Sequence, residues 1–313
     1  MLSYEKRKEY IFAVGALVIF SLLSMFPVTL IPVICSSLSA AVLGYITTKY
    51  HYILVAFAGL CIAAVDFLFT GNFLYVLLNA LPVILCGLTL GIAYNVKLPP
   101  LKTVAIFTGV YTVNTIANLK ISEAISSQNF IESVVTGVEK TYQDALSSSQ
   151  LPYEDLHDIV SQITSMLVQF SPALIVIISF SYALLSFYLM KRICVLRKAD
   201  CQSLTAFPQW RAEKSIGIIY FIMIALMLLV PSGSLISDAI LNTVTVMTYV
   251  FFILGLAFLE HTLLKRFPKP GSRKAVLVVI AISSTFLAGV PFFIISIIGA
   301  MDTFMDYRRK KLF

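Results

Sequence analysis

Long apolar runs recur from residue 10 to residue 306, separated by short gaps that hold most of the charged residues. The runs are continuous rather than alternating, so they predict membrane helices and not barrel strands. A span needs about 18 or more apolar residues to cross a hydrocarbon core of about 30 Å. The first predicted span covers residues 10–32, with Pro27 and Pro32 at its outer end. A short second span at 33–47 returns to Lys49, with a partly re-entrant segment as the alternative. Its Ser36, Ser37, Ser39, Ala40 and Ala41 suit close helix packing. A third span at 53–70 ends in a turn at Gly71-Asn72. The fourth covers 73–94, Pro99-Pro100 breaks the chain, and the fifth covers 102–119. A sixth is expected at 172–190, a seventh at 215–230 and an eighth at 235–264.

Residues 120–168 are the one long polar segment. Glu123, Glu132, Glu139, Asp144, Glu154, Asp155 and Asp158 face only Lys120 and Lys140. Phe130, Ile131, Val134, Val135, Val138 and Tyr142 recur at helical spacing, and Ser147-Ser148-Ser149 interrupts them. Pro152 suits the first turn of a second helix bearing Leu156, Ile159, Val160, Ile163, Met166 and Leu167. Two amphipathic helices at the outer surface are expected. They form either a hairpin resting on the bilayer or a lid over an outward cavity.

Composition sharpens the class. The chain of 313 residues is 59% hydrophobic and 12% charged, with mean hydropathy +0.91, where a soluble domain is about a quarter charged. Net charge is +7, but the basic residues flank apolar runs, so no nucleic-acid partner is implied. Of 23 Lys and Arg, all but Lys120 and Lys140 fall in gaps facing one side. The positive-inside rule makes that side cytoplasmic. It also divides the last apolar stretch, 275–305, at Gly289-Val290-Pro291, because one span would leave Arg308, Arg309, Lys310 and Lys311 outside. The N-terminal run is too long for a signal-peptide core and reads as an uncleaved span. The five cysteines form no CxxC pair, so spacing supports neither a disulfide framework nor a zinc site.

Candidate chemistry lies in polar groups within the spans, because burying a carboxylate there costs about 2.5–3.5 kcal/mol. Asp66, Asn79, Tyr111, Asn114 and Asn118 fall in the outer halves of three consecutive spans. Tyr111, Asn114 and Asn118 share one helix face. Convergent polar groups in an apolar surround describe a ligand-binding pocket. Interhelical hydrogen bonding is the alternative use of the same residues. Asp238, Asn242 and Thr245 make a similar stripe, where Asp238 also complements a helix N-terminus. Glu260-His261 with Lys265 and Arg266 reads as an interfacial charge cluster. Asp302 and Asp306, ahead of Arg308 and Lys310, read as a solvated tail helix. Trp210 beside Arg211 reads as an interfacial anchor. No HExxH, GxSxG or phosphate-binding loop is present, so neither an enzyme nor a self-powered ATP-driven transporter is expected, and no cofactor or metal is implied.

The first six spans, with the run from Leu81 to Tyr94, resemble the YybS-like family of bacterial integral membrane proteins. The segments from Phe207 to Arg211 and from Gly299 to Arg309 extend that resemblance over nearly the whole chain. The family has no assigned function and supplies no site residues. The first 195 residues also resemble the six-helix substrate-binding component of energy-coupling-factor vitamin transporters. That likeness implies a ligand toward the outer side, near Asn79, Tyr111, Asn114 and Asn118. The chain departs from it in its extra spans and in the long outer hairpin. Its first span has Ala13, Gly15 and Ala16 but lacks the Ala-xxx-Ala spacing that docks such components to a partner.

The expected fold is therefore an all-α polytopic bundle of about 8–10 spans with both termini cytoplasmic. Residues 1–195 form a six-span bundle with the 120–168 hairpin, 196–214 a cytoplasmic loop, and 215–313 further spans and a basic tail. A bacterial plasma-membrane protein that binds a small molecule in an outward pocket, within a transport system, is the leading expectation. The lipid bilayer, a small-molecule ligand, and a membrane-protein partner or a separate ATPase module are its implied partners. A non-transporting scaffold of a cell-envelope assembly is the alternative.

Overall fold

A computed structural model of the chain describes residues 3–24, 31–126, 136–137, 140–141, 153–198, 206–231, 233–264, 267, 269–286, 289–305 and 308. Among the described residues every regular element is helical and there is no strand. In chain order, α1 spans Tyr4–Ser24, α2 Ile31–Lys49, α3 Tyr52–Thr70, α4 Phe73–Asn95, α5 Pro100–Ser126 and α6 Tyr153–Leu196. A short 3-10 turn at Phe207–Gln209 precedes α7 (Lys214–Leu229), α8 (Leu235–Leu263), α9 (Pro270–Phe286) and α10 (Val290–Met305). Among the described residues, six helical segments are long and apolar enough to cross a membrane: Ile31–Lys49, Tyr52–Thr70, Phe73–Asn95, Lys102–Ile125, Thr164–Leu196 and Leu235–Leu263. The helices α7 and α10 are apolar but shorter. The chain separates into two compact units, Met1–Ser148 with Ile178–Ser203, and Ser149–Ile177 with Leu204–Phe313.

In the first unit α2 is the core. It is one continuous helix rather than a re-entrant segment, and Ser39, Ala40, Ala41, Leu43, Tyr45 and Ile46 are buried along it. Small residues explain how it sits so deep. A Cβ on Gly87 of α4 would lie 2.7 Å from Leu43 Cβ, and one on Gly44 would lie 3.3 Å from the Gly87 carbonyl. A Cβ on Gly91 would collide with Thr47 and lie 2.8 Å from the Gly44 carbonyl. Backbones therefore touch where α2 crosses α4, which is how membrane helices gain dispersion contacts without a hydrophobic driving force. Gly71 closes α3 at φ 62, and Asn72 caps α4 by accepting the Leu74 N–H at 2.9 Å.

The second unit repeats the device. A Cβ on Gly299 of α10 would lie 2.6 Å from Gly255 N of α8. Tyr220, Phe251 and Ala300 are fully buried around this crossing, and Trp210 packs against the same core. Trp210 is partly buried there, a placement compatible with the expected interfacial anchor. The division of the last apolar stretch falls as expected, since α9 ends at Phe286 and α10 begins at Val290 after Gly289 at φ 79. Cys194 is disulfide-bonded, although spacing gave no sign of a bridge. Bridging depends on Cα proximity in the fold, which spacing does not report.

Two prolines stand inside helices, and each is repaired by side chains. Pro82 of α4 has no N–H to give to Leu78. Asn118 of α5 donates to the Leu78 carbonyl instead, at 3.0 Å. Pro172 was expected to start a span but lies inside the continuous α6. Ser171 donates to the Val168 carbonyl that Pro172 leaves free, at 2.8 Å. The proline ring also pushes its helix open one bond further on. There the Asn242 carboxamide of α8 accepts the Ala173 N–H at 3.0 Å and donates to the Gln169 carbonyl at 2.9 Å. Gln169 in turn donates to Asp238 at 2.8 Å. The residues of the second expected amphipathic helix from Tyr153 onward belong to α6 rather than to a separate hairpin arm. The first expected amphipathic helix falls mostly on residues 127–135 and 142, outside the described residues.

Candidate functional site

The candidate residues divide by what their polar atoms already hold. Asp66 of α3 is 2% exposed, and its carboxylate accepts the Ser21 hydroxyl of α1 at 2.7 Å. Asn79 of α4 is exposed and donates to Tyr75 of its own helix at 3.0 Å. Asn118 holds the Leu78 carbonyl freed by Pro82. Three of the five sequence candidates thus have protein partners, one on α1 and two on α4.

Tyr111 and Asn114 of α5 stand apart. The Tyr111 ring stacks on Tyr182 of α6, with centroids 4.2 Å apart and planes 21° from parallel. Phe107 lies one turn before Tyr111, with its ring 5.8 Å from Tyr182. Offset stacking of this kind adds about 0.5–1.5 kcal/mol beyond burial and fixes both ring planes. Asn114 lies three residues on, along the same face, and is 8% exposed. Its carboxamide makes no hydrogen bond to any described residue. Of the five candidates, Asn114 is therefore the buried one whose hydrogen-bonding capacity is left for something else. Tyr182 was not among the sequence candidates, since an aromatic in an apolar run looks like any packing residue.

Charged groups gather at the opposite end of the first unit. Glu9 of α1 pairs with Lys49 of α2 at 2.6 Å and accepts the Tyr45 hydroxyl. Burial acts to raise the Glu9 carboxyl, but hydrogen bonds from Lys49 and Tyr45 together hold it below the ordinary value of 4.5. Tyr50 follows α2, its hydroxyl directed to the Lys6 carbonyl at 3.3 Å. Burial first, and then the nearby Glu9 charge, push its phenol up to about 12. This cluster clamps α1 to α2.

In the second unit, Asp302 and Arg308 are not a solvated tail. Asp302 is 1% exposed, and Arg308 Nε donates to its carboxylate at 2.8 Å. Arg308 also donates to the Trp210 carbonyl at 3.1 Å and to the Pro208 carbonyl. Arg211 donates to the Asp302 carbonyl at 3.1 Å. These further hydrogen bonds anchor Arg308, while Asp302 Oδ1 is buried with no hydrogen-bond partner among the described residues. Glu260, expected among Lys265 and Arg266, is 6% exposed and lies 4.0 Å from Arg273. Lys265, Arg266, Asp306 and Lys310 lie outside the described residues. The stripe of Asp238 and Asn242 serves the Pro172 break.

No curated protein and no solved structure matches the chain. One family model does, over residues 15–303 and so over most of the length. It describes predicted membrane proteins, in agreement with the apolar helices above. The chain belongs to that family, DUF2232.

Proposed function

We propose that the chain binds a small molecule within the membrane, beside Tyr111, Asn114 and Tyr182, as a non-catalytic component of a bacterial plasma-membrane transport system. The observation that carries this reading is buried Asn114, whose amide has no hydrogen-bond partner among the described residues, next to a stacked aromatic pair. An aromatic wall with one unspent amide can hold a planar or apolar ligand and fix its orientation through a single polar contact. The resemblance of the first 195 residues to transporter substrate-binding components supports the same reading, and a separate ATPase module would supply the energy. Full-length protein purified in mild detergent should carry a small molecule detectable by mass spectrometry. Asn114→Leu should lose that molecule at unchanged folded yield. An unchanged metabolite profile in Asn114→Leu would sink the proposal. The Ser21–Asp66 and Asn118–Leu78 bonds favour a second reading, a scaffold whose buried polar groups only join helices. In that case a stable envelope partner co-purifies and no small molecule does.

A further inference from the structure

We infer that the first unit holds an anionic diacyl lipid in a groove along α3, at the end of the bundle opposite Asp66. The groove has a volume of ≈ 780 Å³ and is built entirely from α2, α3, α4 and the turn between α2 and α3. Its floor is a row of small residues on α3, Ala56, Gly59 and Ala63, spaced three and four apart and so on one face. A Cβ on Gly59 would meet Ile84 of α4 at 3.6 Å, an ordinary van der Waals contact, so the slot is open here because its floor residues are small. Ile84, Leu88 and Ile92 of α4 form the opposite wall.

The groove is polar at one end only. Tyr50, Tyr52 and Asn95 line that end. The Asn95 amide is spent on the Thr47 carbonyl at 3.2 Å, and the Tyr50 hydroxyl on Lys6. Tyr52 is 73% exposed, and the His51 ring lies 3.9 Å from its ring. Two residues beyond Asn95, Lys97 leaves α4 with φ 57 and is exposed. Lys49 is neutralised by Glu9, whereas Lys97 has no ion pair among the described residues. A slot that is apolar along its length, with aromatic hydroxyls at one mouth and an uncompensated cation beside it, matches the polarity of one amphiphile lying along the helix. One of the two acyl chains fills the slot and the negative headgroup meets Lys97. An apolar partner helix would not need the polar mouth, and a neutral lipid would leave Lys97 unmatched.

The test uses full-length protein in a non-ionic detergent, with dioleoyl phosphatidylglycerol or dioleoyl phosphatidylcholine added and lipid retention read by native mass spectrometry. Wild type should retain one phosphatidylglycerol in preference to phosphatidylcholine by about fivefold, the effect of one lysine near an anionic headgroup. Ala56→Phe with Ala63→Leu should weaken both lipids by about tenfold, as expected for excluding two methylenes. Leu68→Phe, exposed on α3 and outside the groove, should leave retention unchanged. Lys97→Gln should erase the headgroup preference and keep the tail affinity. It carries the test alone should the filled variant fail to fold. Equal retention of the two lipids by wild type overturns the inference. Undiminished retention by the filled variant overturns it as well. A dimer in wild type that the filled variant dissociates would assign the groove to a second copy and overturn it too.

Discussion

Replacing Asn242 with leucine removes the carboxamide that bridges the opening in α6. The Ala173 N–H and the Gln169 carbonyl would normally bond to each other, but the Pro172 ring holds them apart, and Asn242 satisfies both. Ala173 is 1% exposed, so water reaches its N–H poorly. Each orphaned group costs about 1–3 kcal/mol in a protein interior. Interhelical bonds measured within membranes average about 0.6 kcal/mol and reach about 1.7. Two bonds lost together should therefore lower stability by about 1–3 kcal/mol. The assay is unfolding of detergent-solubilised protein, followed by helical signal against denaturant or temperature. Thr243→Val on the same helix is the control, since Thr243 bonds only to Ala239 of its own turn. Pro172→Ala restores the missing N–H and lets the helix close, so Asn242→Leu should cost less in that background. A stable Asn242→Leu, or the same loss with and without Pro172, would refute the repair mechanism.

Gly91→Leu and Gly299→Leu should each destabilise by about 3 kcal/mol or more, because the added atoms meet the backbone or Cβ of the crossing helix. Gly109→Ala, with nothing within 4 Å of its Cβ, should be tolerated in the same melts. Glu9→Gln should destabilise at neutral pH. The folded Glu9 carboxyl lies below 4.5, so its contribution is present above the unfolded value and is lost as pH falls through the lower folded one. Wild-type and Glu9→Gln melting temperatures should accordingly converge in acid, and a constant gap down to low pH would contradict this. Arg308→Met should cost about 3–5 kcal/mol by leaving Asp302 buried and unpaired. Asp302→Leu with Arg308→Met should recover most of it, as read by chemical denaturation.

The apolar runs made the helices legible, and the charge asymmetry placed the break at Gly289 that separates α9 from α10. The partners of the polar residues were less accessible. Pro82 and Pro172 announce free carbonyls at 78 and 168, yet sequence cannot say that Asn118 and Ser171 reach them, nor that Asn242 bridges the bond one step further on. Helix continuity through Pro172 was misjudged for the same reason, since the repairing side chain lies 70 residues away in the chain (242 − 172). Tyr182 was invisible among its apolar neighbours, and its stacking on Tyr111 emerges only when α5 and α6 are placed together. Asp302 and Arg308 looked like parts of a solvated tail helix. Their burial depends on the carbonyls of Pro208 and Trp210, nearly 100 residues earlier (308 − 210 = 98).

The two asparagines of α5 provide the most direct measurement. Asn118 holds the carbonyl freed by Pro82, while Asn114, one turn away and buried, makes no hydrogen bond among the described residues. Unfolding and small-molecule content should be measured side by side for Asn118→Leu and Asn114→Leu. The account predicts that Asn118→Leu loses about 1–2 kcal/mol, and that Asn114→Leu is at least as stable as wild type when free of ligand but empty of the bound molecule. Equal destabilisation by both variants, with the small-molecule content of Asn114→Leu unchanged, would contradict it.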